Sequence, residues 1–166
     1  MSLIILVRLF YKIHKKMKTQ QSIAEVSLIY KNTVKASERQ KVTCSKDAYD
    51  IFIHCWDPDT IDYVEEFKML LLNRSNAVLG ILDVSKGGIS GTVTDVRIIM
   101  QAAIKANASG IIVCHNHPSG NFTPSETDSK ITKKIKDAGN FMDIQLLDHL
   151  IINQDYYYSF ADNGLL

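Results

Sequence analysis

Residues 111–120 read Ile-Ile-Val-Cys-His-Asn-His-Pro-Ser-Gly, and Pro124-Ser125-Glu126-Thr127-Asp128 follow shortly after. Ile111 to Cys114 reads as a short buried strand, and alternate residues of an extended chain project to one face. Pro118 also biases His117 toward extended backbone. His115 and His117 are therefore expected side by side. Thr123-Pro124-Ser125-Glu126 has the form of a capping box with proline at the first helical position. The helix it opens runs to about Gly139 and carries Asp128, Ile131, Ile135 and Ala138 on one face. An acid heading an apolar stripe points toward the core, where an unpaired carboxylate is costly. A metal held by His115, His117 and Asp128 removes that cost. Two histidines and one carboxylate leave a fourth position for water, as catalytic zinc sites do, and zinc lowers the pKa of such a water to about 7. Ser125 precedes Asp128 by three residues and shares its face.

Outward from this stretch, Glu65–Leu72 and Ala77–Val84 are apolar runs around the polar tetrad Asn73-Arg74-Ser75-Asn76, which predicts a hairpin. Thr94 is placed to cap a helix with Val96, Ile99, Met100, Ala103 and Ile104 on one face, ending near Gly110. Ser45 is placed to cap another, through Tyr49, Phe52 and Ile53 toward Trp56, before Asp57-Pro58. Asp143–Ile152 reads as one or two strands, followed by Tyr156, Tyr157 and Tyr158, and Ala24–Tyr30 as a further strand. Helices and strands alternate, so the fold class is α/β, with a mixed central sheet flanked by helices.

Composition agrees. The 166 residues suit one domain, and 46% apolar with 22% charged residues is the balance of a globular chain. Residues 1–20 hold five basic side chains and no acid, and the whole chain is +1, which leaves −4 for the rest. That gives no electrostatic support for nucleic-acid binding. The run Leu3–Val7 is far shorter than the roughly 20 residues of a membrane span. Its charge also follows the apolar run, the reverse of a signal peptide. Residues 1–24 are expected to be a basic tail, or in part an extension upstream of a start at Met17, and 25–166 the domain. Cys44, Cys55 and Cys114 form no CxxC pair, which fits reduced thiols and a cytoplasmic setting.

Competing readings of the motif fail on spacing. HNH nucleases spread their three residues across a ββα unit. Zinc deaminases need H-x-E with P-C-x-x-C, and Cys114 stands alone. Cys114 alternates away from His115, so it reads as a buried apolar residue rather than a nucleophile. The glycines after Lys86 lack both the P-loop and the GxGxxG pattern.

The set His115-x-His117, Ser125 and Asp128 resembles the JAMM metalloprotease motif of the JAB/MPN fold, whose architecture is cytidine-deaminase-like. Glu65-x-Phe67 before Leu70-Leu71-Leu72, Gly91-Thr92, His115 through Gly120, and Asp148-His149 resemble the RadC branch, over residues 25–166. The resemblance implies one zinc per chain on His115, His117 and Asp128, with Glu65 as acid/base and Ser125 donating to the oxyanion. A one-residue register slip would exchange Glu65 for Glu66. It implies hydrolysis of peptide or isopeptide bonds, with a protein or peptide substrate; the short apolar run points to no membrane partner. The alternative it carries is a non-catalytic metal-containing module of DNA repair or mobile elements. Longer members carry an N-terminal helix-hairpin-helix region not found in these residues. The Pro-Arg-Glu usual at the start of the central helix is here Asp95-Val96-Arg97. Asp148-His149 reads either as a hydrogen-bonded pair in a buried strand or as support behind the zinc. The tyrosines read as strand packing.

Overall fold

The computed structural model describes residues 27, 29–87 and 93–166. The expected tail over 1–24 and Gly91-Thr92 lie outside the described residues, as does most of the strand expected over 24–30. Ser27, Ile29 and Tyr30 are described and belong to no strand. The regular elements are α1 (Ser45–His54), β1 (Glu66–Leu72), β2 (Val78–Lys86), α2 (Val96–Lys105), β3 (Gly110–Asn116), α3 (Glu126–Phe141), β4 (Gln145–Ile152) and β5 (Tyr157–Ser159). A single 3-10 turn, Ala36–Glu38, interrupts the polar stretch before α1.

The strands form one mixed sheet in the order β2-β1-β3-β4-β5. β1 and β2 are the expected hairpin, closed by Asn73 Oδ1, which accepts from the amides of Ser75 and Ala77. Asn76 takes the left-handed turn conformation, φ 57°, which asparagine tolerates. β3 runs antiparallel to β1 and parallel to β4, with α3 as the crossover.

The apolar runs of β1 and β3 are continuous because both faces are covered: all seven residues of each strand are buried. On one face Phe67, Met69, Ile111 and Val113 pack under Val96, Ile99, Met100 and Ala103 of α2 and Ile135 of α3. On the other, Leu70, Ile112, Cys114 and Leu150 meet Ala48, Tyr49 and Phe52 of α1, with Trp56 and Ile61 beyond it. Tyr157 stacks on Tyr49 at 5.0 Å between ring centres, so this tyrosine does pack between elements. Among the described residues no helix is long and apolar enough to cross a membrane.

Three helix starts differ from expectation. Cys44, not Ser45, occupies the cap position of α1, and Asp47 reaches back instead to the amide and hydroxyl of Thr43. α2 is capped by Asp95 rather than Thr94, because its carboxylate reaches the amide of Arg97 at 2.9 Å. The Arg97 guanidinium and amide hold that carboxyl down at about 2. α2 also stops at Lys105, and Ile104 on its flank is 55% exposed. The capping box of α3 sits two residues later than expected, on Ser125 and Asp128. The preceding segment is committed elsewhere: the Thr123 amide is held by the Asn121 side chain, and Pro124 has no N–H.

Where α3 turns into β4 the backbones come close. A Cβ on Gly139 would lie 2.3 Å from the carbonyl oxygen of Ile144. Helix propensity alone favours alanine over glycine by about 1 kcal/mol. The contact reverses the sign, and Gly139→Ala is expected to lower unfolding free energy by about 1–3 kcal/mol. Urea denaturation reads this directly, and an unchanged or higher midpoint would contradict the tight approach.

Candidate metal centre

The site forms where β3 leaves the core. His115 is its sixth residue, opposite Phe67 of β1 and beside Ile151 of β4. Its ring stacks parallel to Phe67, interplanar angle 3°, so one side of the imidazole is fixed by packing. His117 follows one residue past the strand. A turn returns the chain so that His117 Nδ1 lies 2.5 Å from the carbonyl oxygen of Asn121. A carbonyl only accepts, so Nδ1 carries the hydrogen and Nε2 of the neutral ring is a bare lone pair. That Nε2 faces the Nε2 of His115 at 2.9 Å.

Asp128 completes the group from the first turn of α3. Its Oδ1 is 3.3 Å from His115 Nε2 and its Oδ2 is 3.7 Å from His117 Nε2. Burial pushes the Asp128 carboxyl up, but the adjacent His115 and the hydrogen bonding of Ser125 outweigh it and hold it well below the usual carboxylate range. Ser125 and Asp128 are locked reciprocally: Asp128 Oδ2 accepts from the Ser125 amide at 2.7 Å, and Ser125 Oγ accepts from the Asp128 amide at 3.1 Å. The shifted capping box is thus what aims the carboxylate. One ligand atom from each of His115, His117 and Asp128 falls within 4.8 Å of the others. Two imidazole nitrogens and a carboxylate converging in a half-buried place call for a positive charge between them, and this donor set suits a metal ion.

Glu65 and Glu66 lie at the start of β1 and diverge. Glu66 is buried, its carboxylate 2.8 Å from Lys86 Nζ and 3.1 Å from Lys68 Nζ, with the Thr60 hydroxyl donating to it. Burial raises its carboxyl, and Lys86, Thr60 and Lys68 overcompensate to leave it below its usual value. Glu65 instead lines a cavity of about 270 Å³ with Phe67, Thr94, His115, Asp128 and Ile131. Asn116, between the two histidines and fully buried, sets this division. Its amide group donates to the carbonyls of Ile61 and Val64, and its Oδ1 accepts from the Glu66 amide at 2.7 Å. The residues on both sides of Glu65 are thereby tied to the histidine motif.

The family model for the RadC-like JAB domain matches residues 42–165. The chain belongs to the RadC-like JAB domain family. It is 48% identical over 127 residues to a UPF0758 protein of Flavobacterium johnsoniae, covering 76% of this chain and 54% of that one. A UPF0758 protein of Clostridium beijerinckii is 39% identical over 154 residues, 92% and 66% of the two chains. A third, from Porphyromonas gingivalis, is 43% identical over 130 residues, 77% and 56%. The chain spans between half and two thirds of the length of these curated relatives.

Within this RadC-like domain, Asp148 and His149 part company. Successive strand residues face opposite ways, so Asp148 holds the C-terminal turn through Ser159 Oγ at 2.7 Å and the Ala161 amide at 3.0 Å. His149 lies on the other face, its Nε2 2.8 Å from His115 Nδ1 and its Nδ1 2.5 Å from Thr132 Oγ1. Burial and the nearby His115 hold the His149 pKa well below the usual imidazole value. Thr132 and Asn116 were not singled out from sequence. Thr132 sits four residues after Asp128 on the same helix face, a spacing that could have marked it. Cys114 is fully buried on the opposite face, and burial pushes its thiol well up, which leaves it unreactive.

The two glutamates predict opposite outcomes. Glu66→Ala strips a partner from buried Lys68 and is expected to cost about 1–3 kcal/mol, whereas Glu65→Ala should change stability by no more than about 0.5 kcal/mol. Because the folded Glu66 carboxyl is depressed, its contribution is complete above the unfolded value of about 4.3 and is lost as pH falls through the lower folded value. Unfolding curves of the three proteins at pH 7 and pH 3 test both points. Equal costs for the two substitutions at pH 7 would refute the division.

Proposed function

We propose that this domain is a zinc-dependent hydrolase of amide bonds, acting on a peptide or isopeptide substrate. The observation that carries the reading is the convergence of His115 Nε2, His117 Nε2 and the Asp128 carboxylate beside the cavity that Glu65 lines. His115, His117 and Asp128 would hold one zinc ion, and two neutral imidazoles with one carboxylate leave its charge only partly balanced. Zinc bound there would activate a water molecule and polarise a carbonyl oxygen.

The remaining work falls to side chains of this chain. The Glu65 carboxylate takes a proton from the attacking water and returns it to the leaving amide nitrogen, which must depart as an amine. Ser125 Oγ accepts from the Asp128 amide, and its hydroxyl hydrogen would donate to the substrate oxygen as negative charge builds there. Phe67 and Ile131 keep the cavity wall apolar, which limits water and strengthens each charged interaction at the site.

Elemental mass spectrometry of purified protein is the first test. Wild type is expected to carry close to one zinc per chain, and Asp128→Ala and His117→Ala to carry little. Glu65→Gln should keep its zinc while hydrolysis of peptide and isopeptide substrates falls by roughly 100-fold or more. Folded wild type that takes up no supplied zinc would sink the proposal. Full activity in Glu65→Gln would remove its acid/base.

A further inference from the structure

Behind His115 runs a chain of hydrogen bonds whose direction can be deduced from its far end. Thr132 Oγ1 lies 2.5 Å from the backbone carbonyl oxygen of Asp128, four residues earlier in α3. The carbonyl can only accept, so the threonine hydroxyl spends its one hydrogen there. Thr132 Oγ1 also lies 2.5 Å from His149 Nδ1, and with no hydrogen left to give, it must accept. His149 Nδ1 therefore carries a hydrogen. The His149 ring is fully buried, stacked on Phe160 and tilted against Phe67, and among the described residues its two nitrogens meet Thr132 and His115 rather than a carboxylate. In the neutral ring its Nε2 is then a lone pair. At 2.8 Å from His115 Nδ1, that lone pair requires a hydrogen from His115. The other nitrogen of neutral His115, Nε2, is then unprotonated, and it is the atom facing His117 and Asp128.

We infer that His149, oriented by Thr132, is a positioning residue that holds His115 in the Nδ1–H tautomer and so presents the Nε2 lone pair to a metal ion. The relay begins and ends on the same turn of α3: Asp128 offers its carboxylate to the site and its carbonyl to Thr132. Helix placement and histidine tautomer are thereby coupled through one residue. His117 reaches the same state by a shorter route, with the Asn121 carbonyl as its acceptor. Imidazole ligands commonly donate their remote N–H to a carboxylate, a carbonyl or water. Here a second histidine takes that place, which works only while its own hydrogen is drawn to the far side by Thr132. The inference rests on the metal-binding part of the proposed function.

The test reads tautomers directly. Long-range proton–nitrogen correlation spectra of nitrogen-labelled, metal-free protein, recorded with the imidazoles neutral, are expected to place the hydrogen on Nδ1 of both His115 and His149. Thr132→Val keeps the shape of the side chain and removes the acceptor. His149 is then free to carry its hydrogen on Nε2, which forces His115 to carry its own on the metal-facing nitrogen. Zinc affinity, measured by chelator competition, should fall roughly 10- to 100-fold. Thr132→Ser retains the hydroxyl and should restore both tautomers and affinity, a rescue that loss of packing would not allow. A hydrogen on His115 Nε2 in wild type would overturn the inference. So would Thr132→Val with wild-type tautomers and wild-type zinc affinity. Wild type that shows the expected tautomers and binds no zinc supports the relay and overturns the metal reading, so the two failures are distinguishable.

Discussion

His115 and Asn116 end a central strand that helices cover on both faces, and neither side chain reaches water. Buried polar groups without partners cost on the order of 1–3 kcal/mol each. The fold must therefore supply partners at this one place, and the partners it supplies are the site. Asn116 draws in the Ile61 and Val64 carbonyls and the Glu66 amide, which brings the start of β1 alongside. His115 is satisfied on one side by His149 and on the other by the group it forms with His117 and Asp128. One demand for hydrogen-bond satisfaction thus gathers residues from β1, β3, β4 and α3.

The same strand geometry separates roles that adjacent residues might confuse. Glu65 and Glu66 diverge because the chain is extended there, and the buried side of the pair is occupied by Lys68. Lys68 Nζ lies 3.1 Å from Glu66 and 2.5 Å from Asp83, with the Trp56 ring 4.7 Å below it. That arrangement commits Glu66 to neutralising a buried cation and leaves Glu65 to the cavity. Asp148 and His149 divide by the same rule, one holding the C-terminal turn and the other backing His115. In each case a step of one residue along the extended chain exchanges a structural contact for a position facing the candidate site.

Much of this was legible in local pattern. The two unbroken apolar runs marked central strands, the asparagine-rich tetrad marked a hairpin, and the spacing of His115, His117 and Asp128 marked the candidate metal group and the resemblance to its family. Helix starts were less legible, because several residues in each could serve as cap. Ser45, Thr94 and Thr123 all have the right chemistry for capping, yet Asp47, Asp95 and Ser125 were better placed to reach free amides. Ile104 fitted the apolar face of its helix by spacing and is nevertheless exposed, while Val96, Ile99, Met100 and Ala103 are buried.

By itself the sequence determined the α/β class, the order of the elements, and the three side chains that converge as a candidate metal group. Periodicity and spacing are local properties, and an extended chain or a single helical turn transmits them without help. The tertiary structure alone decided that Glu65 rather than Glu66 faces the cavity, that Asn116 clamps the neighbouring strand, and that Thr132 and His149 stand behind His115. Those relations join residues between 17 and 55 positions apart, through hydrogen bonds whose partners exist only once the sheet register and the docking of α3 are set.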